Sequence, residues 1–492
     1  MTRSRLAVHA HFYQPQRRDP FSGLVPADPS AAPFHDWNER IDAECYEPNA
    51  ERGTIRRISF DVGPTLAAWL AEHDPGTWKA YVAADRPADR DPAIPLHRGN
   101  AMAQGFHHAI LPLASAADRR TEIRWGLREF ELRYGRPAEG LWLPETAVDL
   151  ATLRDLAAED VRYVILAPWQ ADVPHLDSRR PYRAELGGGR SIAVAFYDSV
   201  ISSAVSFEPA ATADAERFAH EHVAARLVGT PFADGTPGLA LIATDGELYG
   251  HHQPFRDLFL ERLVAPDGPD RGFDVVDLAS AVVEAPGHRH PPIRIAERTS
   301  WSCHHGVLRW SAECPCAADG RWKGPLRAAL ERLAAGIDAL TELRMARLSG
   351  RPDPWKSRDA YVDVVVGVEP AGAFSARWTG SDAPAEDRRA FLDLMEAQRW
   401  RLAMFASDGW YWAEPDRTET RQVLLSAARA VRLADPDGTS GLETRLLDDL
   451  ALFSSPTSGL DGAALYRRAL AEAGRPGPDP RKPSARGLRA TG

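Results

Sequence analysis

Two apolar runs in this sequence stop on acids. Gly140-Leu141-Trp142-Leu143-Pro144 ends at Glu145, and Gly238-Leu239-Ala240-Leu241-Ile242-Ala243-Thr244 ends at Asp245, with Gly246 and Glu247 directly after. Two carboxylates at neighbouring strand ends can share the cleavage of a glycosidic bond, one as nucleophile or base and the other as acid. Their separation sets the stereochemistry, about 5–5.5 Å for retention and roughly 6.5–9.5 Å for inversion. Near the start, residues 5–12 alternate as a strand does, which puts His9 and His11 on one face. Two histidines so placed can bind a metal or contact a polar substrate. Each feature also has a plainer explanation: Glu145 suits the start of a helix, where an acid complements the dipole, and the histidine pair suits chance.

The elements that would carry these groups alternate. Strand-like runs cover 5–12, 57–60, 140–145, 161–167, 191–197, 238–244 and 293–296. Helical patterns cover 65–72, 119–134, 148–159, 211–228 and 273–284, with Ile123, Leu127, Phe130 and Tyr134 on one apolar face of the second and Gly135 as its stop. Residues 16–52 read as a long ordered flap and 74–95 as a surface excursion. Nearly continuous apolar strands separated by helices predict a parallel sheet covered by helices, and acids at several strand ends favour a barrel over an open sheet. No glycine-rich phosphate-binding pattern sits on a strand–helix turn, which disfavours a nucleotide-binding sheet. Beyond about 320 the texture becomes helical, over 321–348, 387–407, 417–433 and 443–453; the valines of 361–366 fit either a strand or a short buried helix.

The chain of 492 residues is too long for one ordinary domain. The domains expected are a catalytic one over 1–300, a junction loop over 301–320, a helical one over 321–473 and a disordered tail over 474–492. A net charge of −10 disfavours a nucleic-acid partner. No apolar stretch reaches membrane-spanning length and no secretory leader precedes residue 5, so a cytoplasmic location without membrane contact is expected. Four cysteines are too few for a disulfide framework. Fourteen tryptophans are many for this length, and those near the acids are candidates for stacking on sugars.

The motifs together resemble glycoside hydrolase family 57. His9-Ala-His11-Phe-Tyr-Gln14-Pro15 resembles its first motif, with Phe12 and Tyr13 inserted, and Gly99-Asn100 its second. Trp142-Leu-Pro-Glu145 resembles the third and Asp245-Gly-Glu247-Leu-Tyr-Gly250-His251 the fourth. Ser407-Asp408-Gly-Trp410-Tyr-Trp412 is the candidate for the fifth, and Asp61-Val-Gly-Pro64-Thr-Leu66 resembles a segment before an early helix. The resemblance implies an incomplete (β/α)7 barrel followed by a mainly helical domain that helps close the cleft. It implies a retaining hydrolase or transglycosylase of α-linked glucans, of the amylase, 4-α-glucanotransferase or branching type, working without a cofactor. Glu145 would be the nucleophile and Asp245 the acid/base. His9, His11, Trp142, Glu247, His251, Trp301, Asp408 and Trp410 would bind the α-glucan or oligosaccharide, Trp142 as a stacking platform. His251 and His252 stand where relatives carry an aromatic, which bears on specificity.

One cluster falls outside these motifs. Cys303, His304, Cys314 and Cys316 lie close in sequence, yet the single Cys-x-Cys departs from the two-to-four-residue spacing of zinc knuckles. They are read as a reduced loop at the domain junction rather than a metal site, with zinc as the alternative. Two other functions stay open: a metal-dependent polysaccharide deacetylase built on His9, His11 and Asp245, and an inactive glycan-binding protein. The sequence is silent on oligomeric state.

Overall fold

The computed structural model describes residues 3–86, 99–266, 271–283 and 290–474. Its strands are β1 (Ser4–Phe12), β2 (Ser59–Val62), β3 (Ala101–Gln104), β4 (Leu141–Trp142), β5 (Tyr163–Leu166), β6 (Tyr182–Gly187), β7 (Arg190–Phe196), β8 (Leu239–Asp245), β9 (Phe273–Val275) and β10 (Pro292–Ile293). One parallel sheet runs β4-β3-β2-β1-β8, and β9 pairs with the first residues of β1. A second sheet runs β10-β6-β7-β5, antiparallel only between β6 and β7. A parallel bridge from Gly140 to Tyr163 links β4 to β5. At the far end the Asp198 N–H donates to Leu241 O at 2.8 Å, next to β8. The result is an α/β fold with parallel sheets and many helices.

β1 shows why its sequence is apolar on both faces. Leu6, Val8, Ala10 and Phe12 pack outward with Phe60, Leu66 and Leu70. Ala7 faces the other way, into a cluster with Met102, Trp142, Ile165, Ala195, Leu241 and Ala243 from five further strands. Burying each large aliphatic side chain contributes about 1.5–3 kcal/mol. The inner cluster fills the lower part of the space between the strands and leaves their C-terminal ends to His11, Asp61 and Asp245. The helices are capped as their sequences suggest. Ser115 accepts from Asp118 N–H to start Ala116–Tyr134, and Gly135 ends it at φ +67°. Asp149 and Asp198 cap Leu150–Ala158 and Ser199–Phe207 in the same way.

The second half is a bundle around Lys323–Met345, Ala385–Ala403, Thr418–Ala434, Leu442–Leu450 and Gly462–Glu472. Trp310, Trp322, Leu330, Trp410 and Leu424 lie in its core. Asp118 of the first half is bound by Arg358 at 2.8 Å and by Arg401 at 2.6 Å, all three buried. Breaking such a buried pair from one side is costly, so the two halves are clamped together.

Several expectations are corrected. Residues 273–284 hold β9 and then the helix Leu278–Val282, because Asp277 caps at 277 and resets the backbone. Of the two forms open to the valines after Tyr361, the structure has the helix, Val362–Val365. The 16–52 flap is helical over 37–51, and part of the 74–95 excursion is the helix Pro75–Ala84. Residues 211–228 hold a short turn, Ala211–Ala213, and then one continuous helical run that is α-helical over Ala215–Phe218 and π-helical over Ala219–Ala224. The expected tail beyond 474 lies outside the described residues. No helix among the described residues is long and apolar enough to cross a membrane.

The turn after β8 is sterically tight. A Cβ on Gly246 would stand 2.3 Å from the Phe12 ring, which is itself fully buried. Gly246→Ala should therefore destabilise the protein by about 1–3 kcal/mol, read as a lowered midpoint in chemical denaturation; an unchanged midpoint would contradict this packing.

Candidate functional site

The C-terminal ends of β1, β2 and β8 lie side by side, with His11 in register with both Asp61 and Asp245. Asp61 is fully buried and holds two imidazoles, His11 Nδ1 at 2.8 Å and His9 Nε2 at 3.0 Å. Burial alone would lower the His11 pKa, but Asp61, with Asp245 and Glu247 behind it, raises it to about 9. His11 is thus an imidazolium at neutral pH. For His9 burial prevails over Asp61 and lowers the pKa, so that ring is neutral. Burial opposes ionisation of Asp61 as well, yet the two histidines hold its carboxyl below the ordinary value. One buried charge pair results, facing upward through His11 Nε2, which makes no hydrogen bond among the described residues.

Trp142 lies beneath this pair. Its ring stacks on His9 at 4.8 Å and on His11 at 4.9 Å, and it is completely buried. The expected sugar platform is therefore a support for the imidazolium, whose charge is favoured over an aromatic face. His9 is equally buried, with its second nitrogen 3.2 Å from Ser59 Oγ. Neither residue lines the cleft. A metal held by His9, His11 and Asp245 loses His9 as a ligand, because both its nitrogens are engaged.

Glu145 is presented by an unusual turn. It sits at φ +56°, ψ +22°, and Thr146 follows at φ +45°. A left-handed backbone in a non-glycine residue, and in a β-branched one beside it, costs of order 1–3 kcal/mol each and persists only when surroundings impose it. Gln170 is one such constraint: fully buried, it accepts from Thr146 Oγ1 at 2.9 Å and donates to Thr146 O at 2.8 Å. The Trp301 N–H, donating to Glu145 O at 3.1 Å, is another. The carboxylate is held through Oε2 alone, by the Ser302 hydroxyl and by Trp301 Nε1 at 3.2 Å. Oε1 makes no hydrogen bond among the described residues. Burial raises the Glu145 pKa and Asp245 adds to the shift, while Ser302, Trp301 and His11 oppose it.

Asp245 faces the same opening from the end of β8. Its side chain is exposed to the cleft yet deep within the protein, and it makes no hydrogen bond among the described residues. Burial raises its pKa, against His11 and His252. Glu247 lies behind it and accepts from Tyr13 N–H at 3.1 Å and from Tyr46 OH at 2.7 Å. Burial pushes its pKa to about 7. Tyr13, inserted between His11 and Gln14, stacks on His108 at 3.9 Å and donates from its hydroxyl to Asp408 at 2.6 Å. The insertion thus links the first motif to the helical half, and Gln14 still reaches Tyr46 at 3.1 Å.

Glu145, Asp245, His11, Glu247, Trp301 and Asp408 all line one cleft of about 800 Å³. Trp410 does not: it is buried and donates to Lys323 O at 3.3 Å in the helical core. His251 is bound to Glu44 behind the wall, and His252 takes the place on it. Trp169, Phe207, Tyr411 and Trp412 are 40, 80, 37 and 43% exposed and are aromatic faces of the cleft. Sequence reasoning passed over Trp169, Tyr197, Ser302 and Gln170, which belong to no motif. Tyr411 and Trp412 stood inside the quoted fifth motif beside Trp410. His304 also opens to the cleft, 5.6 Å from Trp169, and is not part of the cysteine cluster.

Comparison with known proteins fits this geometry. Residues 97–266, which hold both Glu145 and Asp245, match the model of glycosyl hydrolase family 57. Over those residues the chain is similar to that family. Residues 319–474 match a domain of unknown function, DUF3536. Among solved structures, an exo-type maltose-forming amylase from Pyrococcus sp. ST04 superposes with a TM-score of 0.68 at 15% identity, over 95% of this chain and 88% of that one. A branching enzyme from Thermococcus kodakaraensis gives 0.61 at 17% identity, over 96% and 95%. The α-amylase AmyC from Thermotoga maritima gives 0.55 at 14%, over 95% and 99%. At these identities the likeness is one of fold. No curated protein sequence matches.

The buried pair makes a direct prediction. In Asp61→Asn the His11 imidazolium loses its main partner, and its pKa should fall below the value of about 9. A histidine NMR titration reads this; an unchanged His11 titration would show that Asp61 does not hold the charge.

Proposed function

We propose that this protein is a family 57 enzyme, a retaining glycoside hydrolase or transglycosylase acting on α-linked glucans. The observation that carries the reading is the disposition of the two carboxyl groups in one aromatic cleft. Glu145 is fixed through one oxygen with the other free, and Asp245 is unbonded with its pKa raised by burial. An ionised nucleophile beside a protonated acid is what the double-displacement mechanism needs, and each charge state favours the other across the cleft. Supporting the reading, the strands β8, β1, β2, β3, β4, β5 and β7 follow one another, and all but β2 place inward residues in one cluster. We take this as an incomplete (β/α)7 barrel, open between β7 and β8, with the helical half closing over its mouth.

In the first step Glu145 Oε1 attacks the anomeric carbon. The glycosidic bond breaks, and the departing oxygen takes the Asp245 proton. The imidazolium of His11 steadies the negative charge of Glu145 and orients substrate hydroxyls through Nε2. Ser302 and Trp301 hold the carboxylate without occupying the attacking oxygen. In the second step Asp245, now a carboxylate, takes a proton from water or from a sugar hydroxyl as that oxygen attacks. The bond to Glu145 then breaks, with net retention. Trp169, Tyr411 and Trp412 supply faces for sugar rings on either side of the bond.

Glu145→Gln should lower turnover of amylose or maltooligosaccharides by about 10³-fold or more with the fold intact. NMR of the first product formed should show the α-anomer. Parent-rate turnover in the variant, or an initial β-anomer, would overturn the assignment; parent-like glucan binding without turnover in the unmodified protein would point instead to a binding protein. His11→Gln removes a cation that favours both carboxylates in their ionised forms. The acid limb of kcat/KM follows ionisation of Glu145 and the basic limb follows loss of the Asp245 proton. Both pKa values rise, so the whole profile should move to higher pH; a profile left in place would contradict the role of His11.

A further inference from the structure

We propose that Cys303, His305, Cys314 and Cys316 bind a zinc ion, and that this ion fixes the loop carrying Ser302 and Trp301 against Glu145. The metal half stands on geometry alone; the second half rests on the reading of Glu145 given above. The one ligand atom that each of the four residues offers lies within 4.8 Å of the other three. Cys303 Sγ is 3.5 Å from Cys314 Sγ and 3.7 Å from Cys316 Sγ. His305 Nδ1 stands 3.2 Å from Cys316 Sγ, 3.5 Å from Cys314 Sγ and 4.0 Å from Cys303 Sγ. Zinc–sulfur bonds of 2.3 Å and a zinc–nitrogen bond near 2.0 Å, arranged tetrahedrally, give edges of about 3.8 Å between sulfurs and about 3.6 Å from sulfur to nitrogen. The five distances given above match these edges to within a few tenths of an ångström.

Other accounts of the cluster fit less well. A disulfide would join Cys303 to one neighbour and strand the second thiol and the imidazole, whereas Cys303 is nearly equidistant from both. Apolar packing gives no reason for an imidazole nitrogen to join three sulfurs, two of the four residues being exposed. Three thiolates, a neutral imidazole and a divalent zinc carry one net negative charge. Arg309, whose positive charge acts on Cys303, offsets it. Four protein ligands close the coordination shell, which marks the ion as structural.

The link to Glu145 is short. Cys303 directly follows Trp301 and Ser302, the two donors to Glu145 Oε2. Arg309 ties the same loop to the helical half, donating to Ser302 O at 3.1 Å and to Tyr411 O at 3.4 Å. Gly306, at φ +71°, sits where a Cβ would come 2.2 Å from Arg298 O, so the loop turns sharply beside its histidine ligand. His304, one residue earlier, is thereby directed to the cleft instead.

The test is metal analysis of the full chain purified under reducing conditions from zinc-supplemented culture. One zinc per chain is expected in the parent and in His304→Ala, and its loss is expected in Cys316→Ser and His305→Ala. Cobalt added to reduced, zinc-free protein should give the intense visible bands of a tetrahedral thiolate site, absent in Cys316→Ser. Parent protein that takes up neither zinc nor cobalt, zinc content unchanged in Cys316→Ser, or a mapped disulfide from Cys303 would overturn the metal site. Loss of zinc should lower kcat with KM little changed, and zinc restored to the parent should recover it. If zinc is bound but its removal leaves kcat unchanged, the coupling to Glu145 is overturned while the metal site stands. Because zinc content is read without a glucan assay, failure here is distinct from failure of the proposed activity.

Discussion

The contact between Asp61 and His11 is the constraint on which the rest of the cleft depends. A carboxylate buried between parallel strands is tolerated only if a cation faces it at hydrogen-bond distance. His11 meets that need and, through its free edge, carries positive charge up to the point where Asp245 and Glu247 approach. Without the imidazolium, three carboxyl groups would converge on one strand end with no counter-charge. Trp142 and His9 then make sense as the bed of this pair: one lends an aromatic face, and the other satisfies the second oxygen of Asp61. The motif at the end of β1 is in this view mainly an electrostatic device, with one of its two histidines open to the cleft.

The second organising feature is the turn that aims Glu145. Its left-handed backbone is unfavourable in isolation, so its geometry is imposed by what surrounds it. Gln170 grips Thr146, and the 299–302 segment grips both backbone and carboxylate of Glu145. That segment belongs to the junction between the two halves, and the helical half adds Asp408, Tyr411 and Trp412 to the cleft. The buried Asp118–Arg358–Arg401 cluster keeps those contributions in place. The cleft is therefore a product of both halves.

Much of this arrangement was legible in the residue pattern. Strand ends carrying acids, the same-face histidines of β1 and the change of texture near 320 all correspond to features of the structure, because side-chain period and apolar run length are local properties. Depth is not local, and that is where the reading erred. Periodicity places Trp142 on the inner face but does not tell whether that face is open, and the ring proved to be sealed beneath two imidazoles. Trp410 failed in the same way, its neighbours Tyr411 and Trp412 being the exposed ones. The segment 273–284 looked uniformly helical because a three-residue strand is shorter than a helical period, and pairing with β1 decided its first residues. The cysteine cluster illustrates a third limit. Spacing along the chain argued against convergence, whereas the turn at Gly306 brings His305, not His304, to the three sulfurs.

The central claim is that Glu145 becomes covalently bound to sugar. It is tested most directly with Asp245→Asn and α-maltosyl fluoride. Fluoride needs no protonation to leave, so Glu145 can still be glycosylated, but without the base at 245 the second step stalls. Peptide mass spectrometry should then find a maltosyl adduct on the peptide containing Glu145. Fluoride release with no adduct, or an adduct on another residue, would contradict the account.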